Sequence, residues 1–120
     1  PKQYDVIVTN NLFGDILTDL GAALQGGLGM AASGNIHPGR VSLFEPVHGS
    51  APPLVGKNVA NPVGAILTSA MMLEYLGFDE ASRALENAVS AAVRTGHSTR
   101  DLGGTLSTNE AGEAIRQRLN

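Results

Sequence analysis

The sequence predicts an α/β protein, and two kinds of segment support this prediction. Residues 4–8 form an apolar, β-branched run that is typical of a strand buried on both faces of a parallel sheet. Four later segments carry helical patterns or helix-starting signals, at residues 12–24, 62–75, 80–94 and 107–119. A parallel strand needs neighbouring strands, and the sequence offers few others. We therefore expect the chain to be a fragment of a larger protein.

The composition excludes several classes of function. With 120 residues, 42% hydrophobic and 16% charged, the chain can form a core as one domain or as part of a larger one. A net charge of −3 argues against nucleic acid as the main partner. Without cysteine, neither a disulfide framework nor a thiolate metal site is possible. No apolar run is long enough to span a membrane and no signal peptide is visible, so we expect a cytoplasmic protein without a membrane partner.

The first helical pattern carries a pair of carboxylates. Asn10 or Asn11 can cap this helix, and its apolar residues recur at three- and four-residue spacing. Asp15 and Asp19 lie four residues apart, so both occupy one face of the helix, where like charges repel unless a cation lies between them. Carboxylate oxygens suit Mg²⁺ or Mn²⁺. A solvated polar face is the alternative interpretation of the same spacing.

Glycine-rich and turn-forming residues follow this helix. The run from Gly26 to Gly29 ends the helix and is the best candidate for a crossing between domains. It does not match the G-x-G-x-x-G dinucleotide pattern. Residues 30–35 and 36–40 are predicted as turns, and residues 41–44 as a short strand that leads into the next loop.

The loop at residues 45–62 combines stiffness with polar groups. It holds four prolines, two glycines, a carboxylate, a histidine and an ammonium group, without helical or strand periodicity. Asn61 and Pro62 are a good N-cap and first residue for the apolar helix that follows, whose N-terminus would favour an anion or polar ligand. Six residues separate Gly49 from Gly56, which excludes a phosphate-binding P-loop. A rigid surface connector is the alternative.

The remaining pattern is helical. The run at 62–75 is apolar nearly all round, which is typical of a buried helix. We expect Asp79 to cap the helix at 80–94, and Ser107 with Glu110 to form a capping box for a last helix that reaches Leu119. His37 and His97 are interpreted as solvated polar residues.

Three stretches, in this order and spacing, resemble the β-decarboxylating dehydrogenases, the family of isopropylmalate, isocitrate, homoisocitrate and tartrate dehydrogenases. They are N-L-F-G-D-I-L-T-D at 11–19, E-P-V-H-G-S-A-P at 45–52 and D-L-G-G at 101–104. Overall similarity favours the isopropylmalate branch, involved in leucine biosynthesis, and the other three substrates stay open. The resemblance implies oxidation of a small 2-hydroxy dicarboxylic acid by NAD(P), followed by metal-assisted loss of the β-carboxylate.

The resemblance also implies the isocitrate/isopropylmalate dehydrogenase-like two-domain α/β fold, with this chain as its C-terminal part. Residues 1–25 would finish the second, dimer-forming domain of a homodimer. Residues 26–120 would be the returning half of the first domain, with the cofactor loop.

Site residues follow from the same resemblance. Asp15 and Asp19 would be Mg²⁺ or Mn²⁺ ligands. Residues 48–52 would cradle the adenosine part of the dinucleotide, Asn61 would lie near the adenine, and Glu45 would lie towards the nicotinamide. The full set implied to bind cofactor is Glu45, His48, Gly49, Ser50, Ala51, Pro52, Pro53, Leu54, Gly56, Lys57 and Asn61.

Two departures from the family pattern affect these expectations. Pro53 stands where NAD-using members carry an aspartate and NADP-using members a basic residue, and we expect NAD because no positive partner for a 2′-phosphate is offered there. The family's catalytic Tyr and Lys, its substrate-binding arginines and a third metal-binding Asp would precede Pro1. We therefore expect no catalytic residue in this chain and no activity from it alone. A non-catalytic regulatory subunit and a free-standing metal- or nucleotide-binding domain are the alternatives.

Overall fold

The structure is a computed structural model that describes residues 2–119. Within these residues it contains four α-helices and two β-strands: α1 (Asn11–Leu24), β1 (Ala32–Asn35), β2 (Leu43–Pro46), α2 (Val63–Tyr75), α3 (Asp79–Arg94) and α4 (Thr108–Arg116). Three single 3₁₀ turns lie at Leu28–Met30, Pro52–Leu54 and Arg100–Leu102.

Helix α2 lies at the centre of this architecture. It packs against α3 on one side and against both strands on the other, and α3 in turn packs on α4. The core that results consists of small and branched aliphatic side chains: Val63, Ala88, Val89, Ala92 and Ile115. This placement explains why α2 is apolar nearly all round, and it fixes the helix N-terminus directly after the proline-rich loop.

The two strands form an antiparallel pair in which Ala32 lies opposite Pro46 and Asn35 opposite Leu43. The prediction of a turn at 30–35 was therefore wrong, and the strand predicted at 41–44 lies two residues further on. The sequence of β1, Ala-Ser-Gly-Asn, has low strand propensity. A side chain at Gly34 would come within 3.0 Å of the Phe44 ring, so β1 depends on close pairing with β2 and on packing against α2.

The first segment of the chain departs most from the sequence prediction. Residues 4–8 form no strand, and Val6 and Val8 are 81% and 93% exposed. A parallel strand takes its hydrogen bonds from its neighbours, and residues 2–119 provide none for it. The predicted strand was therefore wrong for this part of the chain.

The first helix is confirmed, with Asn10 as its cap: the Asn10 side chain accepts a hydrogen bond from the Phe13 amide at 3.0 Å. Gly26 and Gly27 follow its end with positive φ, as the glycine run predicts. None of its residues is buried, although its apolar side chains include Leu12, Ile16 and Leu20. The division into residues 1–25 and 26–120 stays a prediction, and its outermost residues 1 and 120 lie outside the described part.

The last two helices are confirmed with adjusted ends. Asp79 is the first residue of α3 rather than its cap, which is Phe78 and makes no side-chain capping bond. The capping box of Ser107 and Glu110 is present, and α4 ends at Arg116 rather than at Leu119. Among the described residues, no helix combines the length and the apolar character needed to cross a membrane.

Candidate functional site

An open cleft of about 1160 Å³ lies where the proline-rich loop faces the 3₁₀ turn Arg100–Leu102 and the start of α4. Its size is sufficient for a ligand of cofactor size. The loop side of the cleft is lined by His48, Gly49, Ser50, Ala51, Leu54, Val55, Gly56, Asn58, Val59, Ala60 and Asn61. The facing residues are Gly29, Arg100, Asp101, Thr108 and Asn109.

Most of the residues that the sequence indicated for cofactor binding line this cleft. They are His48, Gly49, Ser50, Ala51, Leu54, Gly56 and Asn61. The four others do not: Glu45 belongs to β2, Pro52 and Pro53 belong to the 3₁₀ turn without lining the cleft, and Lys57 is exposed outside it. The cofactor roles of all of them stay predictions.

The middle of the loop has an unusual backbone. Ala51 and Asn58 adopt positive φ angles of 43° and 54°, although neither is glycine. Between them the 3₁₀ turn Pro52–Leu54 closes with a 2.8 Å bond from the Leu54 amide to the Ala51 carbonyl. Left-handed conformations of this kind are costly and persist where the surroundings fix them. The loop is therefore held in one shape, as its proline content predicted.

The start of α4 holds the second half of the loop. The Thr108 hydroxyl donates to the Ala60 carbonyl at 2.6 Å, and the Thr108 amide donates to the Asn58 carbonyl at 3.0 Å. The Asn109 amide donates to Asn58 Oδ1 at 3.1 Å. These contacts join residues about fifty positions apart, and no local sequence pattern could have indicated them.

Asn61 joins the loop to two other elements. Its Oδ1 accepts a hydrogen bond from the Val63 amide at 2.9 Å, which satisfies a free amide at the start of α2. Because α2 begins at Val63 and Pro62 is the residue directly before it, the cap predicted at Asn61 and the first helical residue predicted at Pro62 each lie one position early. Its Nδ2 donates to Asp101 Oδ2 at 2.8 Å, and Asp101 Oδ1 accepts from the buried Thr99 hydroxyl at 2.6 Å. A side-chain amide has two N–H hydrogens and two oxygen lone pairs, so Asn61 retains one N–H donor and one lone pair that a ligand could use.

Two glycines allow these elements to approach each other. A side chain at Gly29 would lie 3.0 Å from Asp101 Oδ2 and 3.2 Å from Asn61 Nδ2. A side chain at Gly64 would lie 3.0 Å from the Gly29 carbonyl oxygen and 3.2 Å from His48 Nε2. Glycine at these two positions therefore lets the backbone lie close to the Asn61, Asp101 and His48 side chains.

The charged side chains that line the cleft are Arg100 and Asp101. Both oxygens of Asp101 already accept hydrogen bonds. Arg100 is exposed and forms no ion pair with any of residues 2–119. The sequence motifs did not single out Arg100, which precedes the D-L-G-G stretch by one residue. Its contribution to the cleft follows only from the fold.

The two carboxylates of α1 do not form a metal site by themselves. Asp15 and Asp19 are exposed, lie one helical turn apart and do not line the cleft. Their oxygens have the chemistry that Mg²⁺ or Mn²⁺ requires. Residues 2–119 contain no group of three or more ligating side chains that could hold a metal ion, so the pair would need donors from outside this chain.

Comparison with known proteins now identifies the family. Residues 1–115 match the family described as isocitrate/isopropylmalate dehydrogenase. The chain belongs to this family. The match covers all three motifs named above, from the carboxylate pair of α1 to the D-L-G-G stretch.

Individual members of the isocitrate/isopropylmalate dehydrogenase family share about half of the sequence. The chain is 54% identical over 119 residues to an isocitrate/homoisocitrate dehydrogenase of Thermus thermophilus, covering 99% of this chain and 35% of that protein. It is 54% identical over 121 residues to a 3-isopropylmalate dehydrogenase of Caulobacter vibrioides, with the same coverage. The chain therefore spans about a third of the length of the curated relatives it matches.

A solved structure confirms the predicted fold class. An isocitrate dehydrogenase from Methylococcus capsulatus superposes with a TM-score of 0.92 at 47% identity, covering 99% of this chain and 36% of that one. The described residues are thus one part of the isocitrate dehydrogenase-like α/β fold. This is consistent with the unpaired segment at residues 4–8 and the exposed apolar side chains of α1.

Proposed function

We propose that the full-length protein carrying this chain is an NAD-dependent dehydrogenase that oxidises 3-isopropylmalate and releases its β-carboxylate as CO₂, giving 2-oxoisocaproate in leucine biosynthesis. The observation that carries the proposal is the cleft formed by the E-P-V-H-G-S-A-P loop in a member of this family. Relatives named as 3-isopropylmalate dehydrogenases match 99% of the chain in several bacteria, at 48% to 54% identity.

In this proposal the chain's own residues hold the cofactor and part of the metal site. His48, Gly49 and Ser50 line the adenosine side of the cleft, while Asn61, fixed by Asp101, offers one donor and one acceptor to the adenine. Bound NAD would accept the hydride from the substrate's hydroxyl-bearing carbon. Asp15 and Asp19 would hold Mg²⁺ or Mn²⁺, which stabilises negative charge on the substrate oxygen during decarboxylation.

Two other functions have specific support. Isocitrate/homoisocitrate dehydrogenase of Thermus thermophilus and tartrate dehydrogenase/decarboxylase of Pseudomonas putida match the chain at 54% and 49% identity, so their substrates are alternatives. A non-catalytic regulatory subunit with the same fold is a further alternative. Asp15 and Asp19 argue against it, since a subunit without catalysis has no need of metal ligands.

The proposed function is tested by turnover of the full-length protein. Isopropylmalate, isocitrate, homoisocitrate and tartrate are each supplied with NAD and Mg²⁺, and NADH and CO₂ are measured. We expect the highest kcat/KM with isopropylmalate and equal amounts of NADH and CO₂. A higher value for another acid would refute the substrate assignment, and no turnover with any of them would favour the regulatory subunit.

The metal role is tested with Asp19→Asn in the full-length protein. We expect this variant to need more Mg²⁺ or to lose turnover, and to bind Mn²⁺ more weakly in a direct titration. Asp79→Asn, an equivalent change at the exposed start of α3, is the control and should behave as wild type. Unchanged metal dependence in Asp19→Asn would refute the ligand role.

A further inference from the structure

We propose that Thr99 is a positioning residue for the dinucleotide, although its own side chain does not line the cleft. Thr99 acts through Asp101 on Asn61, both of which line the cleft, and its hydroxyl thereby sets how tightly the cleft binds NAD. The inference rests on the proposed function in one respect, namely that NAD occupies this cleft.

Thr99 is a fixed point behind the cleft. The residue is 1% exposed. Its carbonyl accepts hydrogen bonds from the Leu102 amide at 3.1 Å and from the Gly104 amide at 3.0 Å. The buried hydroxyl therefore has a defined place from which it can hold another side chain.

This hydroxyl begins a chain of hydrogen bonds that ends at α2. The Thr99 hydroxyl donates to Asp101 Oδ1 at 2.6 Å, and Asn61 Nδ2 donates to Asp101 Oδ2 at 2.8 Å. Asn61 Oδ1 accepts from the Val63 amide at 2.9 Å. The first of these bonds has the length of a charge-assisted O–H···O⁻ bond, about 2.5–2.7 Å, which is one of the stronger kinds in proteins. The position of a buried hydroxyl thus determines that of a side chain in the cleft.

The same bonds fix the orientation of the Asn61 amide. A carboxylate only accepts hydrogen bonds, so Asp101 holds the nitrogen of Asn61, while the Val63 N–H holds its oxygen. A side chain at Gly29 would lie 3.0 Å from Asp101 Oδ2 and 3.2 Å from Asn61 Nδ2, so the backbone there closes one side of the pair. Asn61 therefore presents its remaining N–H donor and lone pair in one arrangement, which suits a ligand group with an acceptor beside a donor. The adenine and the carboxamide of NAD both contain such a group, so either end of NAD meets this requirement.

Removal of the Thr99 hydroxyl would release this arrangement. In Thr99→Val, a methyl group would face Asp101 Oδ1, and that oxygen would lose its hydrogen bond. Because Asp101 is exposed, its carboxylate can turn towards water, which leaves Asn61 with the bond to Val63. An amide held at one atom can rotate, so we expect a loss of about tenfold in affinity for NAD.

The test measures NAD binding to the full-length protein by calorimetry, without substrate. We expect Thr99→Val to raise the Kd for NAD about tenfold, and Thr99→Ser, which keeps the hydroxyl, to stay within about twofold of wild type. Thr68→Val is the matched control and should also stay within about twofold. Thr68 is buried outside the cleft lining, and its hydroxyl donates to the Gly64 carbonyl one turn earlier in α2. In turnover assays, Thr99→Val should raise KM for NAD about tenfold and change kcat by less than about twofold.

A double-mutant cycle shows whether Thr99 acts through Asp101. Once Asp101→Ala is present, adding Thr99→Val should change the Kd for NAD by less than about twofold, because the hydroxyl no longer has a carboxylate to hold. A contribution of Thr99 to stability alone would leave the two effects independent, and they would multiply. If Thr99→Val does not fold, Thr99→Ser and Thr99→Ala replace it. They differ only in the hydroxyl, and we expect the alanine variant to bind NAD about tenfold more weakly than the serine variant.

Three results would overturn the inference: wild-type affinity for NAD without the Thr99 hydroxyl, an equal loss of affinity in Thr68→Val, or a full further loss when Thr99→Val is added to Asp101→Ala. If wild type binds NAD and oxidises a 2-hydroxy acid in any of these cases, only the role of Thr99 fails. If wild type neither binds NAD nor oxidises any of these acids, the proposed function fails with it.

Discussion

At the scale of single residues, three positions of the D-L-G-G stretch each meet a physical requirement. Asp101 accepts the two hydrogen bonds that fix Asn61 and Thr99. Gly103 has a positive φ of 79°, which other residues resist. A side chain on Gly104 would overlap the Ser98 carbonyl oxygen, and the Gly104 amide donates to the Thr99 carbonyl at 3.0 Å. Asp101 is therefore the residue of this stretch that lines the cleft, and the glycines that follow it allow close backbone contact with residues 98 and 99.

A pair of glycine variants tests this contact. We expect Gly104→Ala to lower the free energy of unfolding of the full-length protein by about 2 kcal/mol, because the new methyl group forces the backbone apart. Gly112→Ala is the matched control: it lies within α4 with open space around its Cβ position, and should raise stability by about 0.5 to 1 kcal/mol. Urea denaturation measures both. A neutral Gly104→Ala would contradict the described contact.

At the scale of elements, α4 positions the proline-rich loop. The 2.6 Å bond from the Thr108 hydroxyl to the Ala60 carbonyl holds the loop beside the cleft. We expect Thr108→Val, which removes the hydroxyl and keeps the shape, to raise KM for the dinucleotide about 3- to 10-fold with little change in kcat. Thr108→Ser should restore the wild-type value in the same steady-state assay. A Thr108→Val enzyme with wild-type KM would show that the loop needs no support from α4.

The end of α4 carries a pH-dependent contact. Hydrogen bonds from Arg116, and then from Gln117, lower the pKa of Glu113 from 4.5 to about 2. Because this pKa is lower in the folded state, the stabilisation is complete above pH 4.5 and is lost as the pH falls towards 2. Carboxyl NMR of glutamate-labelled protein should give a midpoint well below 4.5 for Glu113, and Arg116→Gln should raise it. A midpoint unaffected by that substitution would refute the contact.

The helices were predictable from local signals, because α1 and α3 are amphipathic, α2 is a long apolar run, and Asn10 and Ser107 cap α1 and α4. The strands were not predictable in this way. β1 has the composition of a turn and becomes a strand only through pairing with β2 and packing on α2. Residues 4–8 show the reverse case: their composition is that of a strand, but the described residues provide no neighbouring strand for them. Strand formation depends on non-local contacts that a local pattern does not contain.

At the scale of the whole molecule, the loop side of the cleft was predictable and the facing side was not. The loop is one continuous motif, so seven of its lining residues between His48 and Asn61 could be located from the sequence, whereas Val55, Asn58, Val59 and Ala60 were not singled out. The facing residues Asp101, Thr108 and Asn109 meet the loop through contacts across 40 to 51 positions of the chain. Arg100 lines the cleft because it directly precedes Asp101 in the turn Arg100–Leu102. The carboxylate pair of α1 remains exposed and incomplete within this third of the family's length.

The central claim is that this chain supplies the dinucleotide cleft and two metal ligands of a β-decarboxylating dehydrogenase. A crystal structure of the full-length protein with NAD and Mg²⁺ tests it most directly. We predict adenosine between the loop at 48–51 and the turn Arg100–Leu102, with Asp15 and Asp19 on the metal together with donors from outside this chain. Nucleotide bound away from this cleft, or Mg²⁺ bound without either aspartate, would contradict the claim.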